Sequence, residues 1–494
     1  MACNDNEFKP ALQIPHLQNT IANQKQNMKH YTLILSFLLL STFSFGQNIN
    51  SKVERDIVHS SILNHDRDIS VYLPPSYYSS NLNYPVLYIL DGDYNFNYVS
   101  GILELQASIS ENIPEMILVG ISGKGSETYK KNCKPNIEGI EDKGNADQVS
   151  SFIQEELIPY VNGTYRTLNY KILAGHSIGG LFIINTALNK PSLFNNYIAI
   201  SPALWWEGNA INNVASRTLE SNPNYSTNVY VSLANEKGMG VGSLLKVATK
   251  SYLKNELVIL FIAFIALLLA IVLFIKKGKK LIPLIITVSG LGLSAHLYFL
   301  YIPSNDNFKF KQFPNETHNS VGSPTYSWAL RDIFKTWKGE QEFFNSSAEL
   351  KSYNTKVVQE YNEAFNLQKI LMGNTIFVLQ GQPNELKSIQ QVLIKTYPNS
   401  VANFNLQWAE RNIKNGNTEA GQTRLQKTIS NYPTFFNAYN TLAKIKMEEG
   451  KIISADSLIS RGIQLAKAQK AQQWELNELI ETREKINSPQ PSIP

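Results

Sequence analysis

Two cysteines, Cys3 and Cys133, are all that this chain of 494 residues contains. Cys3 falls in a stretch expected to be lost in processing, so neither a disulfide framework nor a cysteine metal site is expected. Excess charge is scarce as well, with a formal net charge of +5 and four of the basic residues packed into Lys276-Lys277-Gly278-Lys279-Lys280. Basic and aromatic residues do not interleave, which argues against nucleic acid as a partner. Histidines number seven, few enough for a histidine-dependent site to be sought by elimination.

The length leaves room for two or three domains with cores of their own. Residues 1–27 are polar, rich in Asn and Gln, and without a period; they read as an upstream extension before a true start at Met28. Residues 28–46 have a basic start at Lys29-His30, an apolar core from Thr32 to Phe45, and small residues near Ser44 and Gly46. This is the pattern of a secretory signal peptide. An uncleaved N-terminal anchor is the alternative, and either one exports the chain downstream of it.

From 47 to about 340 the chain alternates strand-like and helix-like runs. Asp68–Leu73, Pro85–Leu90, Met116–Ile121, Ile172–Ala174, Tyr197–Ile200, Val229–Leu233 and Asn307–Phe313 read as strands, and Val149–Val161 and Gly242–Leu253 as helices. That alternation predicts an α/β fold with a mostly parallel sheet covered on both faces, and ligands at the carboxyl ends of its strands.

A membrane hairpin is expected to interrupt this domain at 257–302. Leu257–Ile275 carries no polar side chain and, at 1.5 Å per residue, spans about 28 Å, close to the roughly 30 Å hydrocarbon core. Leu281–Ile302 is a second apolar run, with Gly290 and Gly292 suited to close helix packing. Lys276, Lys277, Lys279 and Lys280 in the loop between them place that loop in the cytoplasm. The expected location is therefore a bacterial inner membrane with the rest of the chain on the periplasmic side. The insertion joins a helix to the next strand, so it should anchor the domain from the edge opposite the site.

Residues 346–494 read as helices without strands. Asn403, Ala409 and Gly416 recur 34 residues later as Asn437, Ala443 and Gly450, while Gly421 falls on Ala455 and Leu425 on Ile459. Small residues at that period give the tetratricopeptide pattern and point to a possible protein partner. An unrelated pair of helical hairpins is the bland alternative.

Chemistry centres on Tyr170–Leu188, where Gly175-His176-Ser177-Ile178-Gly179 fits G-x-S-x-G between a strand and a helix. Such a turn exposes Ser177 at the carboxyl edge of the sheet, although five residues alone also fit a plain Gly-rich turn. A serine nucleophile needs a base and a carboxylate to orient it, following it in the order acid then histidine. His16 and His30 lie in the leader, His59 and His65 precede the serine, His176 is inside the turn, and His296 is in an apolar span. His318 remains, just after the last strand. Glu236, after Val229–Leu233, is the candidate acid and Glu207 the runner-up. The Ile178 N–H, with an amide of Gly92 or Asp93 after Pro85–Leu90, is the candidate oxyanion hole.

Ile89-Leu90-Asp91-Gly92, Glu156–Pro159, Tyr165-Arg166-Thr167, Gly175–Gly180, Ser201-Pro202-Ala203-Leu204-Trp205-Trp206 and His318-Asn319-Ser320-Val321 stand in order. Together they resemble the "putative esterase" family, which includes enterochelin esterases, S-formylglutathione hydrolases and feruloyl esterases. The resemblance covers roughly residues 50 to 340 apart from the insert. It implies an α/β-hydrolase fold and hydrolysis of a small-molecule ester by Ser177, Glu236 and His318, with no metal or organic cofactor. Acyl transfer would use the same residues, and a catalytically silent scaffold working through the helical repeats is the rival reading. Two features depart from the family pattern: the segment after Ile121, Ser122–Lys131, and the membrane hairpin.

Overall fold

The computed structural model describes residues 52–222, 225–248 and 307–488. The expected signal peptide at 28–46 and the hairpin at 257–302 lie outside the described residues. Among the described residues no helix is long and apolar enough to cross a membrane.

Eight strands form one sheet in the order β1-β2-β4-β3-β5-β6-β7-β8. They are β1 Lys52–Ser60, β2 His65–Leu73, β3 Tyr84–Leu90, β4 Ile117–Ile121, β5 Thr167–His176, β6 Asn196–Ile200, β7 Asn228–Leu233 and β8 Phe308–Gln312. The first two form an antiparallel hairpin, β2 pairs antiparallel with β4, and β4 onward is parallel. This is an α/β-hydrolase-like sheet. Every residue of β3, β4 and β6 is buried, which is why they read as unbroken apolar runs: a parallel strand covered on both faces has no polar side. The edge strand β1 escapes sequence reading because Lys-Val-Glu-Arg-Asp-Ile-Val leaves Val53 and Ile57 exposed.

Helices cover both faces. α1 Gly92–Leu103 follows β3, α2 Ser126–Cys133 and α3 Ala146–Phe152 follow β4, and α4 Ile158–Thr164 continues from α3 through a π turn. α5 Ile178–Asn189 follows β5, α6 Ile211–Ser221 follows β6, and α7 Gly322–Ile333 follows β8. α5 is buried from Gly179 to Leu188, so the turn before it is seated on the middle of the molecule. Residues 241–248 are helical and precede the undescribed stretch, and the chain re-emerges at Asn307. There Val229 N donates to the Asn307 carbonyl at 2.6 Å and Phe308 pairs with Val229. Re-entry is thus at the amino edge of the sheet, the end away from Ser177.

Beyond Gly339 the described residues form helices and no strand: α8 Ser347–Tyr361, α9 Lys369–Val378, α10 Pro383–Thr396, α11 Val401–Lys414, α12 Thr418–Asn431, α13 Phe436–Glu448, α14 Ile452–Ala468 and α15 Gln473–Asn487. The core does not break where the strands end. One face of the sheet and α7 share a hydrophobic cluster with α8 through α11, as far as Trp408. At its centre the Tyr170 ring lies 5.6 Å from Phe334, 5.5 Å from Tyr361 and 5.7 Å from Phe365. Glu111, buried at the amino edge, accepts the Lys369 N–H at 3.0 Å and the Ile370 N–H at 2.9 Å. It thereby satisfies the orphan donors at the start of α9. Helices α11 to α15 pack around smaller clusters of their own.

Candidate active site

Ser177 sits between β5 and α5 with φ 57° and ψ −116°, a conformation that a non-glycine residue adopts only under constraint. The constraint is visible: Ser177 N donates to the Ile200 carbonyl at 2.9 Å, while its own carbonyl accepts from Ala203 N at 2.9 Å and Leu181 N at 3.1 Å. A Cβ on Gly175 would stand 2.7 Å from the Gly179 carbonyl oxygen, so strand and helix approach this closely only through glycine. The Tyr129 hydroxyl, reaching in from α2, occupies the space a side chain on Gly179 would need. The divergent segment after Ile121 is therefore part of the floor beneath the turn.

His318 lies in the loop after β8, and Glu236 in the loop after β7. The His318 Nδ1 to Glu236 Oε2 distance is 2.8 Å. A carboxylate only accepts, so the proton is assigned to Nδ1, which leaves Nε2 as an acceptor. The two loops are tied by the Asn235 N–H donating to the Glu316 carbonyl at 2.9 Å. His176, beside Ser177, donates from Nε2 to the His318 carbonyl at 2.8 Å, and the two rings lie 4.5 Å apart. Burial first, then the neighbouring imidazole, pushes the His176 pKa down to about 4, which keeps that ring neutral. The structure thus brings Ser177, Glu236 and His318 to one edge. Glu207, in a kinked turn, is exposed to solvent.

Register sets the oxyanion candidates. Ile89 of β3 is level with Ala174 of β5, which puts Asp91-Gly92 beside His176-Ser177. Gly92 and Asp93 open α1 and Ile178 opens α5, so all three amides belong to first turns with no intrahelical acceptor. Gly92 has no room for a side chain, because its Cα packs on the backbone of Gly120. The Asp93 carboxylate turns away, accepting from Ser122 Oγ and Gly123 N, each at 3.1 Å. Asp91 was not a sequence candidate. It holds φ 55°, and burial, reinforced by Asp93, raises its carboxyl to about 6.

Around this edge Tyr94 of α1 is 74% exposed and Trp205 after β6 is 54% exposed. Gly92, Asp93 and Ser122 also line a cleft of about 550 Å³ with Asp68, Ser70 and Asn97. Cys133 is buried and its thiol is pushed up by burial, so it is not a reactive thiol. Among the described residues no three His, Cys, Asp or Glu side chains converge as metal ligands.

The sheet order and the strained strand-to-helix serine give an α/β-hydrolase-like domain. Residues 60–250 match the profile of the family described as "Putative esterase", a stretch that runs from β2 past β7 and contains the serine turn. Ferri-bacillibactin esterase BesA of Bacillus subtilis is 27% identical over 162 residues, covering 29% of this chain and 56% of BesA. The siderophore triacetylfusarinine C esterase of Aspergillus fumigatus is 28% identical over 146 residues, covering 28% of this chain and 50% of that protein. The chain thus spans about half the length of these relatives. Among solved structures, an IroE-like serine hydrolase from Shewanella oneidensis superimposes with a TM-score of 0.49 at 19% identity, covering 69% of this chain and 98% of that one.

Proposed function

We propose that the chain is a membrane-anchored serine esterase in which Ser177 attacks an ester carbonyl. His318 Nε2 takes the Ser177 proton and then delivers it to the leaving alcohol, while Glu236 holds the imidazole in that tautomer and steadies its charged form. The amides of Ile178 and of Gly92 or Asp93 receive the developing oxyanion; such a donor is worth about 10² to 10³ in rate. A water activated by His318 then frees the acyl group and restores Ser177. The observation that carries this reading is the 2.8 Å bond from His318 Nδ1 to Glu236 beside a serine in a strained turn.

The relatives' names point to siderophore esters as the substrate class, and exposed Tyr94 and Trp205 would stack an aryl part of such a substrate. The anchor is the 257–302 hairpin, with its lysine loop inside the cell and the hydrolase in the periplasm behind the 28–46 signal. Chain re-entry at the amino edge fits an anchor that leaves the Ser177 edge facing away from the bilayer. The helical region 346–494 is read as tetratricopeptide-like repeats that bind a protein partner. A single cysteine placed at Gly278 should react with maleimide in spheroplasts only when the reagent crosses the membrane; reaction with an impermeant reagent would reverse the topology.

The test of the chemistry is labelling of the detergent-solubilised full chain with a fluorophosphonate probe. Wild type should label and Ser177→Ala and His318→Ala should not. A folded wild type that fails to label would sink the esterase reading and favour a silent scaffold.

A further inference from the structure

The motif Ser201-Pro202-Ala203-Leu204-Trp205-Trp206 has no part in the triad chemistry, yet its first residue touches the triad acid. Ser201 follows β6, is fully buried, and holds φ 38°. Its N–H donates to the Ser232 carbonyl at 3.1 Å, which fixes the backbone. Its Oγ accepts the Ala234 N–H at 3.2 Å and contacts Glu236 Oε1 in a hydrogen bond. A hydroxyl has a single proton. With Ala234 acting as donor to the oxygen, and Glu236 able only to accept as a carboxylate, that proton points at Glu236. Both carboxylate oxygens of Glu236 are therefore held, Oε1 by Ser201 and Oε2 by His318.

We infer that Ser201 is a positioning residue for the catalytic pair: its buried hydroxyl locks the rotation of the Glu236 carboxylate and draws off part of its charge. This rests on the esterase reading above. Without the hydroxyl, Oε1 sits buried with one donor fewer, and the carboxylate is free to turn about its last bond away from the line to Nδ1. The imidazole then loses the partner that fixes its orientation and steadies its charged form.

The experiment measures hydrolysis of p-nitrophenyl acetate by the solubilised full chain, with the low-field proton resonance of the His318 Nδ1 to Glu236 bond followed by NMR. Ser201→Ala should lower kcat roughly ten-fold with KM unchanged, the size expected for a hydrogen bond to a charged group. The His318 Nδ1 proton resonance should weaken or move upfield as its bond to Glu236 loosens. Ser201→Gly relaxes the left-handed backbone and should behave as Ser201→Ala does, since the hydroxyl and not the φ angle is at issue. In a Glu236→Ala background, Ser201→Ala should add nothing.

Wild-type kinetics in both variants, with an active parent, would overturn this inference and leave the esterase reading standing. A full ten-fold loss in the Glu236→Ala background would overturn it too, by showing a merely structural role. An inactive wild type would defeat the esterase reading, and the resonance would still decide the contact: an unmoved His318 Nδ1 proton in Ser201→Ala refutes it.

Discussion

The carboxyl edge of the sheet and the helical region both use left-handed backbone, but they fill it with different residues. In the helical region positive φ falls on Asn362, Gly416, Gly450 and Lys470, just beyond helix ends, where Gly and Asn are the ordinary choice. At the carboxyl edge it falls on glycine too, at Gly125, Gly208, Gly238 and Gly240, but also on Asp91 after β3, Lys124 after β4, Ser177 after β5, and Ser201, Glu207 and Asn209 after β6. At these six non-glycine positions the strain, of order 1–3 kcal/mol each, is accepted where a side chain is wanted. The helical region uses its turns to end helices. The sheet edge also uses them to aim side chains, Ser177 and Ser201 among them.

The contrast breaks most directly at Ser177 and His318. If the strained edge exists for chemistry, Ser177→Ala and His318→Ala should each cut ester hydrolysis by roughly 10³-fold or more, with melting temperatures near wild type. Steady-state rates alongside thermal unfolding check this. Equal losses of activity and stability would make the edge structural.

His176 sharpens it through pH. Its folded pKa is depressed to about 4 by burial and by His318, below the ordinary imidazole value near 6.5. The folded state therefore binds this proton less tightly than the unfolded chain does, and stability present above about pH 6.5 is lost as the pH falls toward 4. His176→Asn should flatten denaturant-derived stability across that window. An unaltered acid slope in His176→Asn would remove this histidine from the acid limb.

Much of the sheet could be read from the sequence because central strands buried on both faces leave unbroken apolar runs, as in Tyr84–Leu90 and Ile117–Ile121. Ser177 was legible because glycines must flank it, and His318 because few histidines compete. Glu236 was less so, since an isolated glutamate in a loop carries no local signature; only the fold brings it to His318 and leaves Glu207 in solvent. Ser201 and His176 were hidden for the same reason: their partners lie far along the chain, Ser201 from Glu236 and His176 from the His318 carbonyl. The joining of the sheet to α8 through α11 was also invisible, because Tyr170 and Phe365 give no sign of each other along the chain.

The amino edge offers a middle case in Glu111, which is left-handed at φ 46° and is used to cap α9. Glu111→Ala should cost about 1–2 kcal/mol, the worth of an N-terminal cap, and lower hydrogen-exchange protection from Lys369 onward. Esterase activity at the far edge should stay within two-fold, roughly. A large loss of activity would mean that the two edges are coupled through the shared core.

The smallest effect gives the finest comparison, between Asp91→Gly and Asn362→Gly. Asp91 and Asn362 share φ 55°, so glycine relieves a similar backbone in both. At Asn362, a helix end where asparagine is already well tolerated, the change should be worth a few tenths of a kcal/mol at most. At Asp91 it also removes a half-buried carboxyl that burial disfavours as an anion, so the fold should gain about 1 kcal/mol at pH 8. That gain should shrink as the pH falls below about 6 and the wild-type carboxyl becomes neutral, since a raised folded pKa withdraws stability only as the pH rises through it. Paired urea titrations at pH 8 and pH 4 measure both differences. Equal shifts in the two variants, at both pH values, would mean that the carboxyl edge is no more strained than a helix end.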